Sequence, residues 1–331
     1  MQSDILLVYL LTIASAFAVT YVLTPLVAKK MYVIGKTGVD IHKVAKPAIP
    51  EMCGTAIIAG TMISILLAMA MLPDRIIEFA SFLLGTTIAG TIGIVDDVKP
   101  LSPKIKPALT ALAALPILAL GTYSPHPELP FIGPLRLTVV YPLLILFAIA
   151  IPSNAVNMMD VFNGAMPGTC SVVSVATAIC LILSGRGEEA ILPLALLGAL
   201  LAFYRYNRYP ARVFAGDAGS LFTGAALGSI AVLGRIEVAT IVAMMPHIMN
   251  AFYGLFSVGR LYEHREVKSR PTALREDETL EATTAKSAPV TLTRLILAQG
   301  PLSEKRIVDT MILLTAFSSV LAILTQLLIL R

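Results

Sequence analysis

The sequence predicts an all-α fold, a polytopic membrane helical bundle, and three observations carry that expectation. Of 331 residues, 56% are hydrophobic and only 14% charged. Mean hydropathy is +0.82. Apolar stretches near the ~20 residues needed to cross a bilayer recur along the whole chain. A soluble domain of this size does not carry so apolar a balance.

Ten such segments are expected, at residues 4–28, 51–72, 76–95, 105–121, 136–151, 165–184, 188–204, 218–233, 237–258 and 307–330. The first lacks a basic start and a small-residue cleavage site, so it reads as a retained helix. Gly85, Ala89 and Gly93 recur at four-residue spacing, which lets helices approach closely. Cys53, Cys170 and Cys180 sit in apolar segments without Cys-x-x-Cys spacing, which argues for buried thiols rather than disulfides or zinc.

Charge then orients the segments. Twenty of the 25 lysines and arginines fall in the loops after the first, third, fifth, seventh and ninth segments. By the positive-inside rule those loops are cytoplasmic, and both termini are extracytoplasmic. The net charge of +4 is modest and dispersed, so nucleic acid is not an expected partner. The longest outer loop, residues 122–135, contains Pro125, Pro127, Pro130 and Pro134 and reads as a rigid connector with a structural His126. A single domain over residues 1–331 is expected, with 259–305 as a long cytoplasmic loop. Within it, 276–288 reads as flexible or weakly structured, and 290–298 as a surface segment or a short core helix.

The cytoplasmic loops also hold the unusual polar residues, which puts an active site on that face. Asp96 and Asp97 end the third segment, and an ionisable pair beside hydrocarbon is costly unless paired, metal-bound or wet. A lone Asp also simply marks where a span stops. With Asp160, Asp217, Asn154, Asn157 and Asn163 the pair supplies carboxylate and amide oxygens, a set suited to Mg2+, which keeps waters and binds substrate phosphate. Lys106, Arg212, Arg265 and Arg270 suit the phosphates themselves. Bland readings stand beside these. Asn154 and Asn157, about one helical turn apart, are good cap residues, and Asp217 at the start of a span is an ordinary N-terminal acid. Gly216 would let a ligand approach the backbone. His247 reads as a buried hydrogen-bonding group between helices, and His42 as either solvated or touching ligand.

Three ordered motifs carry a resemblance: Val95-Asp96-Asp97-Val98, Asn154-Ala155-Val156-Asn157-Met158-Met159-Asp160, and Arg212-Val213-Phe214-Ala215-Gly216-Asp217. Together they resemble the polyprenyl-phosphate N-acetylhexosamine-1-phosphate transferases over nearly the whole chain. Lys46 to Glu51, Asn207 to Phe214 and Leu295 to Arg306 are similar to the eukaryotic and archaeal branch, the dolichyl-phosphate GlcNAc-1-phosphate transferases. Asp160 has a bacterial look and Asn163 a eukaryotic one. The resemblance implies transfer of GlcNAc-1-phosphate from UDP-GlcNAc to a polyprenyl (dolichyl) phosphate in the bilayer, release of UMP, dependence on Mg2+ with Mn2+ as a substitute, and sensitivity to tunicamycin. It implies that Asn157 and Asp217 hold the metal and Lys106 meets a phosphate. Asn163 and Phe214 would hold the uracil, Asp96 and Asp97 would serve the acceptor, and His264 and Arg265 the diphosphate or sugar, with Arg270 able to take the same role. Lys43, Glu51 and Asn250 are further substrate-side candidates, and a homodimer is allowed. The alternatives are a bacterial-type transferase using UDP-HexNAc or UDP-MurNAc-pentapeptide with undecaprenyl phosphate, and, in another class, a nucleotide-sugar or lipid transporter. A transporter site would lie near the midplane, whereas these acidic groups gather at one face.

Overall fold

The computed structural model describes residues 2–259 and 269–331. Its helices are α1 (Gln2–Val33), α2 (Thr55–Met71), α3 (Ile76–Val98), α4 (Ile105–Ala111), α5 (Leu115–Leu120), α6 (Tyr141–Met159) and α7 (Ala165–Leu183). They continue with α8 (Ile191–Asn207), α9 (Gly216–Leu233), α10 (Glu237–Ala243), α11 (Met245–Val258), α12 (Leu292–Ile296) and α13 (Glu304–Ile329).

Among the described residues, α1, α3, α6, α7, α9 and α13 are each long and apolar enough to cross a membrane. The α10–α11 pair, bent by 69°, makes a seventh if it is one span. The bend has a local cause: Pro246 opens α11 and cannot supply the N–H that would continue the α10 ladder. The remaining apolar helices, α2, α4–α5 and α8, have 17 residues or fewer. At ~1.5 Å per residue, a 17-residue helix reaches about 26 Å, short of a hydrocarbon core of about 30 Å.

Helix α9 is the axis of the bundle. Every residue from Ala218 to Leu233 is buried, and α9 packs most extensively on α3 and α6. Small residues permit this contact. A Cβ on Gly93 of α3 would come within 2.3 Å of the Asp217 carbonyl oxygen, and one on Gly224 of α9 within 2.4 Å of that of Pro152 on α6. The three cysteines are free and buried, and His247 on α11 lies 2.9 Å (Nε2) from Thr169 Oγ1 on α7, as expected of an interhelical hydrogen bond.

Two helices run past their expected ends, and both extensions matter. Helix α3 continues to Val98, so Asp96 and Asp97 lie inside its last turn rather than beyond it. The fifth segment begins later and ends later than expected. Pro142 sets the start of α6, and the helix then passes through Pro152 to Met159. Asn154 and Asn157 are therefore interior to a helix and cap neither end.

The bundle is not wholly helical. Strands β1 (Thr37–Val39) and β2 (Ala48–Pro50) pair antiparallel after α1, and β3 (Glu128–Leu129) pairs with β4 (Gly133–Pro134) in the proline-rich connector. Strands β5 (Thr272–Leu274), β6 (Thr279–Ala282) and β7 (Leu302–Ser303) form a three-stranded sheet within the last long loop. Part of the 276–288 stretch, expected to be weakly structured, is thus strand, anchored by fully buried Leu280 in a small second core with Phe162, Leu297 and Ile307. Arg294 ties the rest down, donating to the carbonyls of Ala288 (2.9 Å) and Thr283 (3.1 Å). Of the 290–298 alternatives, the short core helix α12 is the one present.

Candidate active site

The C-terminal ends of α3 and α6 meet the N-terminal ends of α4 and α9, which brings the sequence motifs into one cluster. Lys106 on α4 is its centre. Its Nζ is 2.8 Å from Asp217 Oδ2 on α9 and forms an ion pair with Asp96 on α3. Asn157 on α6 donates from Nδ2 to Asp217 Oδ1 (2.5 Å) and to Ser220 Oγ (2.8 Å). Asp96 also accepts the Leu101 N–H at 2.6 Å, which pins the turn leading to α4.

The two neighbouring aspartates do different work. Asp97 accepts the backbone N–H groups of Asp217 (2.8 Å) and Ala218 (3.0 Å), one on each carboxylate oxygen. It caps α9 from another helix, supplying the negative group that the first turn of a helix favours. The capping role that the sequence allowed for Asp217 thus falls to Asp97, and the Asp217 carboxylate is turned to the cluster. Gly216 makes this possible: its φ is +71°, and a Cβ there would come within 2.7 Å of Asp97 Oδ2.

Accessibility separates the acids further. The Asp217 side chain is 30% exposed, whereas that of Asp96 is 2% exposed and that of Lys106 12%. Of the two carboxylates paired with Lys106, Asp217 is the more open. The side chain of Asp160, just past α6, makes no hydrogen bond or ion pair among the described residues, its backbone N–H donating to the Val156 carbonyl (3.1 Å). Burial, with Asp217 and Asp97 nearby, pushes its carboxyl up to about 7.

A second polar network lies alongside. Lys43 forms ion pairs with Asp40 and, at 3.5 Å, with Glu304 at the start of α13. Asn163 donates from Nδ2 to Asp40 Oδ2 (3.0 Å), and its backbone N–H donates to Glu304 Oε1 (2.8 Å). The Asp40 and Glu304 side chains are 3% and 2% exposed. Asp40, His42 and Glu304 have ligand atoms within 4.8 Å of one another and form a group able to hold a metal ion, although the Lys43 ammonium already bridges its two carboxylates. His42 stacks on Phe162 with ring centroids 4.5 Å apart, and burial pushes its imidazole down to about 4.

The other candidates occupy varied places. Asn154 donates to Thr110 Oγ1 (2.9 Å), holding α6 to α4. Asn250 donates to the Met158 carbonyl (3.2 Å) and accepts the Leu292 N–H (2.9 Å), so both ends of its amide are committed to backbone. Phe214 is threaded between loops: its N–H donates to the Pro50 carbonyl (2.8 Å) and its carbonyl accepts from Cys53 (3.0 Å). Glu51, in the same segment, packs over Gly38, where a Cβ would meet its Oε1. Arg212 and Arg270 are exposed, and Arg270 is near enough to His42 to disfavour the imidazolium. His264 and Arg265 lie outside the described residues. Reading by motif missed Asp40, Glu304, Ser220 and Asn207, the last of which accepts the Gly164 N–H (3.0 Å) and donates to the Val213 carbonyl (2.8 Å). Asp40 had a signal in its three-residue spacing from Lys43, and Glu304 in its place before a long apolar run.

Comparison with known proteins places the chain in a family. The glycosyl transferase family 4 model matches residues 79–235, a stretch that carries Asp96, Asp97, Lys106, Asn157 and Asp217. A protein of Methanocaldococcus jannaschii, provisionally named a glycosyltransferase, is 31% identical over 94% of this chain and 95% of its own length. One of Saccharolobus solfataricus, provisionally named a UDP-N-acetylglucosamine–dolichyl-phosphate N-acetylglucosaminephosphotransferase, is 28% identical over 97% and 98%. The phospho-N-acetylmuramoyl-pentapeptide-transferase of Anoxybacillus flavithermus is 32% identical over 71% of this chain and 78% of its own. The chain belongs to glycosyl transferase family 4.

Proposed function

We propose that the protein transfers GlcNAc-1-phosphate from UDP-GlcNAc to a polyprenyl phosphate, dolichyl phosphate in the best-supported case, and releases UMP, the first step of lipid-linked oligosaccharide assembly for N-glycosylation. The observation that carries this reading is the Lys106–Asp217–Asn157 cluster, an accessible carboxylate held between a cation and an amide at the convergent ends of four helices. The names of the archaeal relatives supply the substrate pair.

The reaction brings two anions together, so charge is its main obstacle. An oxygen of the acceptor phosphate forms a bond to the sugar-linked phosphorus, the bond from that phosphorus to UMP breaks, and the electron pair leaves with UMP. The acceptor is already largely ionised, since a phosphate monoester loses its second proton at about pH 6. A general base therefore has little to do, and buried Asp96 serves better as the group that orients Lys106 toward phosphate. Lys106 offsets developing charge on the transferred group. Asp97 is a positioning residue, fixing the first turn of α9 and with it the Asp217 side chain. Both of its oxygens are engaged by backbone N–H groups, which speaks against a covalent aspartyl intermediate.

The donor set fits a hard divalent cation. Asp217 offers accessible carboxylate oxygens, and Asn157, donating through Nδ2, keeps its amide oxygen free of partners among the described residues. These two residues would hold Mg2+ or Mn2+, which would bind the donor diphosphate and withdraw charge from it. Phe214 is proposed to hold the uracil, and Arg270, His264 and Arg265 to meet the diphosphate or sugar; Asn163 and Arg212 border a neighbouring cleft instead. The proposed topology is a single domain of ten spans, counting α2, α4–α5, α8 and the bent α10–α11 pair, with both termini outside and the cluster facing the cytoplasm.

The test is UMP release by purified protein from UDP-GlcNAc, with and without dolichyl phosphate and with and without magnesium. UMP is expected only when both are supplied. Exchange of nucleotide sugar across liposomes without lipid-linked product would sink the transferase reading in favour of a transporter. Inhibition by tunicamycin is expected in the same assay.

A further inference from the structure

Beside the carboxylate cluster, at the same end of the bundle, lies a cleft of about 330 Å³ that none of Asp96, Asp97, Asn157 and Asp217 lines. Its walls are the last turns of α8, the turn that follows, and the first turns of α13. They bring Arg205, Arg208, Arg212 and Lys305 around one space, with Asp309 the sole carboxylate among the lining residues. Arg205 lies in the last turn of α8 and Arg208 just past its end. Lys305 and Asp309 stand four apart on α13, a spacing that favours pairing, yet none of these five side chains makes an ion pair or hydrogen bond among the described residues. The cleft thus holds four cations against one anion. Two nearby cations, Lys43 and Lys106, by contrast each bridge two carboxylates. Unpaired like charges gathered round a concavity repel one another, and a bound anion would relieve that repulsion. Three guanidinium forks and one ammonium match the geometry of phosphate oxygens. The volume lies at the lower end of the ~300–1,000 Å³ typical of small-molecule sites, room for a phosphate ester with a few attached atoms.

We propose that this cleft is a binding site for a phosphate ester group, separate from the cluster on Asp217. Two sources supply that chemistry: the headgroup of an anionic phospholipid, reached from the membrane face, and a soluble phosphate. The inference does not depend on the transferase reading, and its test involves no turnover.

Wild-type protein, an Arg208→Gln/Lys305→Gln double variant and an Asp309→Asn variant are placed in nanodiscs of phosphatidylcholine alone and of an equimolar mixture with phosphatidylglycerol. Binding is followed by titrating fluorescent phosphatidylglycerol and, in the neutral discs, inorganic phosphate. With two charged hydrogen-bond donors removed, the double variant is expected to bind the favoured probe at least about tenfold more weakly, and Asp309→Asn more tightly than wild type. Phosphatidylglycerol binding without a phosphate response identifies a lipid site; a phosphate response in neutral discs identifies a soluble-phosphate site. If neither probe distinguishes wild type from the double variant, the proposal is overturned. Asp309→Asn adds no bulk at an exposed position, so its opposite sign keeps the test decisive should the double variant fail to fold.

Discussion

The clusters around Lys106 and Lys43 are built from the same parts. Each has a lysine bridging two carboxylates, Asp96 and Asp217 in one, Asp40 and Glu304 in the other. Each has an asparagine amide donating to one of those carboxylates, Asn157 to Asp217 and Asn163 to Asp40. They differ in closure. In the first, Asp217 is open to ligand and its backbone is held by a third acid, Asp97. In the second, both acids are nearly sealed. Burying such a pair costs several kcal/mol per ion in lost hydration and is repaid only by good geometry, so a sealed pair fixes structure more than it adds stability. Identical chemistry thus suits the proposed reaction centre where one carboxylate stays accessible, and a clamp joining the β1–β2 loop to α13 where none does.

Substitutions can break that comparison. The largest effect is expected at the open acid: Asp217→Asn should lower turnover by about a thousandfold or more, as for loss of a group that stabilises transition-state charge, with a near-normal melting curve. Asp97→Asn weakens the α9 cap without touching ligand. It should cost about a hundredfold in kcat, the scale of a misplaced catalytic group, with a smaller change in KM measured on the same preparation. In the closed cluster, Asp40→Asn should instead lower stability by roughly 3 kcal/mol, as when a buried pair loses one partner. Turnover of the folded protein should stay within about tenfold of wild type, and thermal melts alongside UMP release read both.

The smallest effect concerns pH. His42 is held neutral in the fold, its imidazole pushed down to about 4, while an unfolded chain takes the proton near pH 6.5. Stability contributed at neutral pH is therefore lost as pH falls from about 6.5 toward 4. His42→Gln should flatten that part of the melting-temperature profile, and an unchanged profile would show that other groups carry it.

The sequence made the bundle legible because apolar length is a local property, and it made the polar motifs legible because charge beside hydrocarbon is conspicuous. It hid whatever depends on helices crossing. That Asp97 rather than Asp217 caps α9 follows from contact between residues 120 positions apart, and Asn163 meets Glu304 across 141. Asn154 and Asn157 misled as cap residues because their polarity was visible and the continuation of α6 through Pro152 was not. The strands of the last loop were obscured by their Thr, Ala and Glu composition; their pairing is accompanied by burial of Leu280 in a core shared with α13 and Phe162.

The most direct test sets the two lysines side by side: UMP release and melting curves for Lys106→Gln and Lys43→Gln, assayed with UDP-GlcNAc, dolichyl phosphate and magnesium. The expected result is that Lys106→Gln loses turnover at temperatures where it remains folded, whereas Lys43→Gln melts earlier and still releases UMP. A Lys106→Gln protein that releases UMP at the wild-type rate would contradict the assignment of the reaction to the open cluster.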